Sequence, residues 1–140
     1  MTRTPIAGLF VAALLGTSLA AQAAPAPVSI TPLLTTAVTV AGAPITYPKT
    51  DSAEVAAIRL EISPGGETGR HMHPYPTIVY VLEGQFEVEM DGGAVHTYKA
   101  GDCYVEATNT WHNSRNKGTT VTKAFIVFVG VHGKPNAVRP

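Results

Sequence analysis

The stretch Pro64–Gly84, PGGETGRHMHPYPTIVYVLEG, decides how the rest of the chain is read. It places His71 and His73 two residues apart, then runs into an apolar segment, Ile78–Leu82, and stops at Glu83-Gly84. Successive side chains on an extended chain point to opposite faces, so residues i and i+2 share one face. His71 and His73 therefore project together, and two converging imidazoles are half of a metal site. A third, His112, lies downstream on another predicted strand.

The flanking sequence is rich in short strands. Ala53–Ser63 alternates, with Ala56, Ile58, Leu60 and Ile62 on one face, and ends at Pro64-Gly65-Gly66. Gln85–Met90 alternates with Phe86, Val88 and Met90 on one side. Asp91-Gly92-Gly93 is a hairpin turn, and Ala94–Lys99 returns as its partner. Cys103–Ala107 and Trp111–Arg115 read as further strands. Val121–Val129 (VTKAFIVFV) is the most apolar and is expected to be central. Upstream, the β-branched run Leu33–Val40 reads as a first strand, Ala41–Pro44 as a turn and Ile45–Tyr47 as a short edge piece. Gly130–Pro140 reads as an irregular tail.

Composition narrows the class. Charged residues make up only 14% against 45% hydrophobic, enough apolar material for one core and too little charge for a disordered chain. Ten basic and ten acidic residues balance, and no basic patch points to nucleic acid. Arg3, an apolar run from Ile6 to Ala20 and the small-x-small site Ala21-Gln22-Ala23 have the layout of a helical signal peptide cleaved after Ala23. The expected organisation is a signal peptide over 1–23 and one domain over 24–140, secreted or periplasmic, with no membrane contact after cleavage. The single cysteine, Cys103, excludes an intrachain disulfide.

These features resemble the cupin family. Its first motif is glycine, five residues, His-x-His, three or four residues, glutamate, six residues, glycine; Gly65, His71, His73 and Gly84 match, while Thr77 stands where the glutamate belongs. In the second motif Gly101, His112 and Asn116 match, while Ala107 and Asn109 replace a proline and a glycine. The resemblance implies an all-β double-stranded β-helix, or jelly roll, with a metal inside the barrel. By position, His71, His73 and His112 are the implied ligands, for a divalent transition metal: iron, manganese, zinc or nickel.

A threonine hydroxyl is a poor ligand for a divalent ion, so Thr77 is expected to touch a bound water or substrate, leaving an all-imidazole shell. Glu106 is the other carboxylate to weigh, either as a ligand or as a catalytic acid or base in the pocket. Tyr75 and Trp111 are candidate pocket residues, as are Tyr80, Phe86 and Tyr104, although each suits ordinary barrel packing as well. His96 and His132 are expected at the surface, and Asn116 in a turn. The implied activity is that of a metalloenzyme, of oxygenase, isomerase or hydrolase type, acting on a small polar or anionic molecule. The competing readings are a non-catalytic ligand- or metal-binding barrel and a barrel whose histidines hold no metal. Open sheet edges suit a homodimer.

Overall fold

The computed structural model describes residues 27–140. The signal-peptide reading of Met1–Ala23 lies outside them. The chain divides after Ile30, and Thr31–Pro140 carries the fold.

Seven strands form two sheets: β1 (Ala53–Ile62), β2 (Thr77–Glu83), β3 (Gln85–Met90), β4 (Val95–Lys99), β5 (Cys103–Val105), β6 (His112–Arg115) and β7 (Thr122–Val131). One sheet has the order β1-β7-β2-β5 and the other β4-β3-β6. All of the strand pairings are antiparallel. As its composition suggests, β7 is an interior strand, flanked by β1 along its whole length and by β2. The core lies between the sheets. Val79 and Val81 of β2 and Ala124, Ile126 and Phe128 of β7 meet Phe86 and Val88 of β3 and Tyr104 of β5. These residues alternate along their strands, as a half-buried sheet requires.

Leu33–Val40 and Ile45–Tyr47 are not strands. They make an isolated bridge, Val38 to Pro44, and a few single bonds, such as Val40 N–H to Val105 O at 2.9 Å. Leu33, Leu34 and Val38 stay 58, 38 and 45% exposed. Their β-branched neighbours favour an extended chain, but β-propensity yields a strand only where a partner ladder exists. The neighbouring β5 is three residues long.

Gly84 turns the chain from one sheet to the other, directly after a register shift between Val81 and Glu83. Its φ is +73°, and a Cβ there would lie 2.9 Å from both Thr122 Oγ1 and the Val121 carbonyl oxygen. Gly92, in the β3–β4 hairpin, has a φ of +100° with nothing within 4 Å of a Cβ. Gly84→Ala combines left-handed strain with a clash against backbone and should cost about 2–4 kcal/mol. Gly92→Ala carries the strain alone and should cost about 1 kcal/mol. Urea unfolding of the two variants measures the difference, and equal costs would mean that the corner has room to relax.

Asn116 locks another corner. Its amide donates to Ile62 O at 2.8 Å and Thr120 O at 2.7 Å, and its side-chain oxygen accepts from Gly118 N–H at 2.9 Å. The turn role expected from the sequence is what these bonds perform.

Candidate metal centre

His71 and His112 are directly opposed across an antiparallel bridge. His71 N–H donates to His112 O at 2.9 Å, and His112 N–H to His71 O at 2.8 Å. Opposed residues share a face, so both imidazoles enter the barrel. His73 joins them by the i+2 rule. The ring centroids are 4.4 Å apart for His71–His112, 4.9 Å for His71–His73 and 5.2 Å for His73–His112.

The residues one place earlier, Arg70 and Trp111, point the other way. They meet on the outside, with the guanidinium 4.5 Å from the indole centroid.

Glu106 completes the cluster. One ligand atom from each of His71, His73, Glu106 and His112 lies within 4.8 Å of all the others, and all four residues are buried. Glu106 Oε2 is 2.9 Å from His73 Nε2 and 2.8 Å from His112 Nε2. The expected all-imidazole shell is therefore corrected: the cluster contains a carboxylate. Its origin lies in strand register. Ile78 of β2 is paired with Val105 of β5, and Glu106 N–H donates to Thr77 O at 2.8 Å. Glu106 thus sits across from the position where the family motif carries its glutamate. The acid has moved to the neighbouring strand and still reaches the same interior.

Each imidazole is held by its other nitrogen. Nδ1 faces Gly69 O at 2.8 Å in His71, Asn136 O at 2.7 Å in His73 and Thr110 O at 2.9 Å in His112. A carbonyl only accepts, so each Nδ1 carries its proton and each neutral ring leaves a lone pair on Nε2. Such anchoring is the usual accompaniment of metal-binding histidines. It also creates a conflict, because lone pairs on Nε2 then face the lone pairs of Glu106 Oε2. Both Glu106 Oε2 and His112 Nε2 are buried without a hydrogen-bond partner in this arrangement. Either a proton on an imidazole or a cation must lie between them. A metal about 2.1 Å from each ligand sets adjacent ligand atoms about 3 Å apart, close to the 2.9 and 2.8 Å between Glu106 Oε2 and the Nε2 atoms of His73 and His112. Three imidazoles and one carboxylate suit a divalent transition ion.

Without a metal, the electrostatics put a proton in that place. Burial alone would raise the Glu106 carboxyl, but the hydrogen bonds that His112 and His73 donate when Nε2 is protonated override it and hold Glu106 below the usual carboxylate range. Burial likewise pulls His112 down, yet the Glu106 carboxylate outweighs it and leaves His112 above its ordinary value. His71, further from the acid, is lowered chiefly by burial. The Tyr104 hydroxyl donates a long, weak bond of 3.5 Å to Glu106 Oε1. Burial raises this phenol, and also pushes Tyr98, stacked on it at 3.6 Å, up to about 12.

A cavity of about 150 Å³ opens beside His71, His73 and Glu106. Ile58, Leu60, Ile126 and Phe128 supply its apolar wall, and Thr68, Ser114 and Arg139 its polar groups. Thr77, Tyr75 and Trp111, expected in the pocket, do not line it. Thr77 is buried and donates its hydroxyl to Tyr75 O at 3.2 Å. The Tyr75 ring packs beside Gly130, and Trp111 lies outside under Arg70. Asn136 and Arg139, in a tail whose sequence carries no motif, are the contributors that sequence reasoning missed. His96 is half-buried, and His132 is exposed with Nδ1 2.7 Å from Glu54 Oε2.

The family model described as "Cupin domain" matches residues 58–128. The chain belongs to the cupin family. This cupin is 32% identical over 77 residues to germin-like protein 1-1 of Oryza sativa subsp. japonica, which covers 51% of the chain and 36% of that relative. It therefore spans about a third of the relative's length. Among solved structures it is similar to oxalate oxidase in complex with the substrate analogue glycolate: 25% identity, TM-score 0.50, covering 60% of this cupin and 45% of that chain. It also matches an uncharacterised conserved protein with a double-stranded β-helix domain from Klebsiella pneumoniae subsp. pneumoniae, at 22% identity and a TM-score of 0.52, covering 64% and 75%. That likeness speaks to the fold.

Proposed function

We propose that this cupin is an exported metalloenzyme acting on a small carboxylic acid, with one divalent transition metal held by His71, His73, Glu106 and His112. The observation that carries the reading is the buried Glu106 oxygen facing imidazole lone pairs at 2.8 and 2.9 Å, a contact that a cation makes favourable. Once bound, an iron, manganese, zinc or nickel ion supplies Lewis acidity and, for the first two, redox chemistry.

On this reading Glu106 is a ligand and not the acid or base of the reaction, because its Oε2 is turned into the cluster, 2.9 Å from His73 Nε2 and 2.8 Å from His112 Nε2. The chain's own contribution is to orient three imidazoles, to neutralise part of the metal's charge and to offer a small, largely apolar cavity. That volume corresponds to roughly five waters of bulk liquid and suits a small substrate. A small acid is supported by the cationic Arg139 in the cavity wall and by the likeness to oxalate oxidase with glycolate bound. Export is supported by the layout of residues 1–23.

One observation favours a non-catalytic binding barrel instead: beyond the cluster, Arg139 is the only ionisable side chain in the cavity wall among the described residues. The test is elemental analysis of the purified protein, followed by incubation of metal-loaded protein with oxalate and glycolate under air. Near-stoichiometric metal with consumption of either acid is the expected result. Metal with no turnover of a panel of small acids would favour the binding barrel, and absence of metal after loading would remove the metal reading.

A further inference from the structure

The C-terminal segment Asn136–Arg139 is built into the site. Met72 and Val138 exchange both backbone bonds, at 3.0 and 2.9 Å, which lays the tail against the chain that carries His71 and His73. Asn136 O takes the His73 Nδ1 proton, and Ala137 and Arg139 wall the cavity. Arg139 Nη1 donates to Thr68 O at 2.9 Å, beside the Gly69 carbonyl that holds His71. That is the one protein hydrogen bond of its guanidinium among the described residues, and no carboxylate pairs with it there. The nearby acid Glu67 is engaged with Arg115 at 2.9 Å.

A guanidinium has five donors in a planar fork matched to a carboxylate. This one is solvent-exposed, pinned at one nitrogen and without a carboxylate partner among the described residues, and it lines a small cavity shared with a buried cluster whose metal would outweigh the single charge of Glu106. Positive charge thus stands at the cluster and at Arg139, and the rest of the wall is apolar apart from the hydroxyls of Thr68 and Ser114. We propose that Arg139 is the specificity-determining residue for an anionic substrate: it grips the carboxylate at one end of a short acid whose other oxygen atoms reach the cluster. This rests on the metalloenzyme reading above and adds to it the residue that selects the substrate's charge.

The test is calorimetric titration of glycolate, and of uncharged ethylene glycol, into manganese-loaded and metal-free wild type, Arg139→Gln and Arg139→Lys, with manganese content measured for each. Gln keeps a donor for Thr68 O and removes the charge. The expected result is a roughly ten- to hundredfold weaker glycolate affinity for Arg139→Gln, a smaller loss for Arg139→Lys, and unchanged manganese content. Ethylene glycol affinity should not distinguish the three proteins. Equal glycolate affinity in wild type and Arg139→Gln would overturn the proposal, as would absence of glycolate binding to wild type in both metal states. A parallel fall in manganese and glycolate would also overturn it, since Arg139 would then act by holding the tail. Failure of wild type to take up manganese counts against the metal centre separately, and the glycolate arm on metal-free protein still judges Arg139.

Discussion

Glu106→Gln should weaken divalent-metal binding by roughly 10²- to 10⁴-fold while leaving the metal-free protein, at alkaline pH, at least as stable as wild type. The two halves of that result have different causes. With metal bound, the substitution removes one partner of a buried charge pair, a loss of about 3–5 kcal/mol. At about 1.4 kcal/mol per factor of ten, that gives the stated range. Without metal, and at a pH high enough for the raised His112 to be neutral, the sign reverses. The wild-type carboxylate oxygen faces Nε2 lone pairs of His73 and His112 at 2.9 and 2.8 Å, because their Nδ1 protons are committed to Asn136 O and Thr110 O. A glutamine amide in that place can donate to one or both rings, and a buried charge disappears. Competition with a chelator of known affinity measures the first half, and urea unfolding in excess chelator at alkaline pH the second. Retained metal affinity would show that the carboxylate is not a ligand. A metal-free variant much less stable than wild type would show that Glu106 is a structural partner of protonated imidazole.

The second expected result separates the cluster from the remaining histidines. Metal at a thousandfold excess over its dissociation constant should stabilise the native state by about 4 kcal/mol. For a domain of this size that is a rise in Tm of about 15–30 °C. His71→Ala, His73→Ala and His112→Ala should each abolish most of the rise. His96→Ala and His132→Ala should keep it, since His96 packs in the β3–β4 hairpin near Tyr98 and His132 pairs with Glu54 at the surface. Thermal melts with metal and with chelator provide the readout. Equal loss in all five variants would point to folding, and an undiminished rise in the first three would remove the metal centre.

The barrel was largely legible because its strands alternate and its corners carry glycine. The period-2 pattern of Ala53–Ile62 and the turn at Asp91–Gly93 are local signals, and local signals survive in a sequence. The histidines were legible for the same reason. Glu106 was weighed, but its place was not readable, because it depends on how β5 registers against β2, a non-local pairing. A motif records a carboxylate at a fixed distance along the chain, whereas the cluster needs one at a fixed place in space, and two adjacent strands can both meet that need. Leu33–Val40 shows the opposite failure: a strong local preference that found no ladder to join. Asn136 acts through its backbone carbonyl and Arg139 through where the tail lies, and neither carries a signature in residue type or spacing.

The order of synthesis bears on the interior position of β7. Ribosomes deliver β1 and β2 long before Thr122–Val131, the strand that lies between them. The carbonyl of Asn136 that fixes His73 comes later still. Until then β1 has no ladder partner among the named strands, and the edges of both strands remain open to unwanted pairing. His73 meanwhile lacks the acceptor that sets its tautomer. The two sheets can therefore close only once Thr122–Val131 has left the ribosome, and His73 is fixed only once Asn136 has followed it.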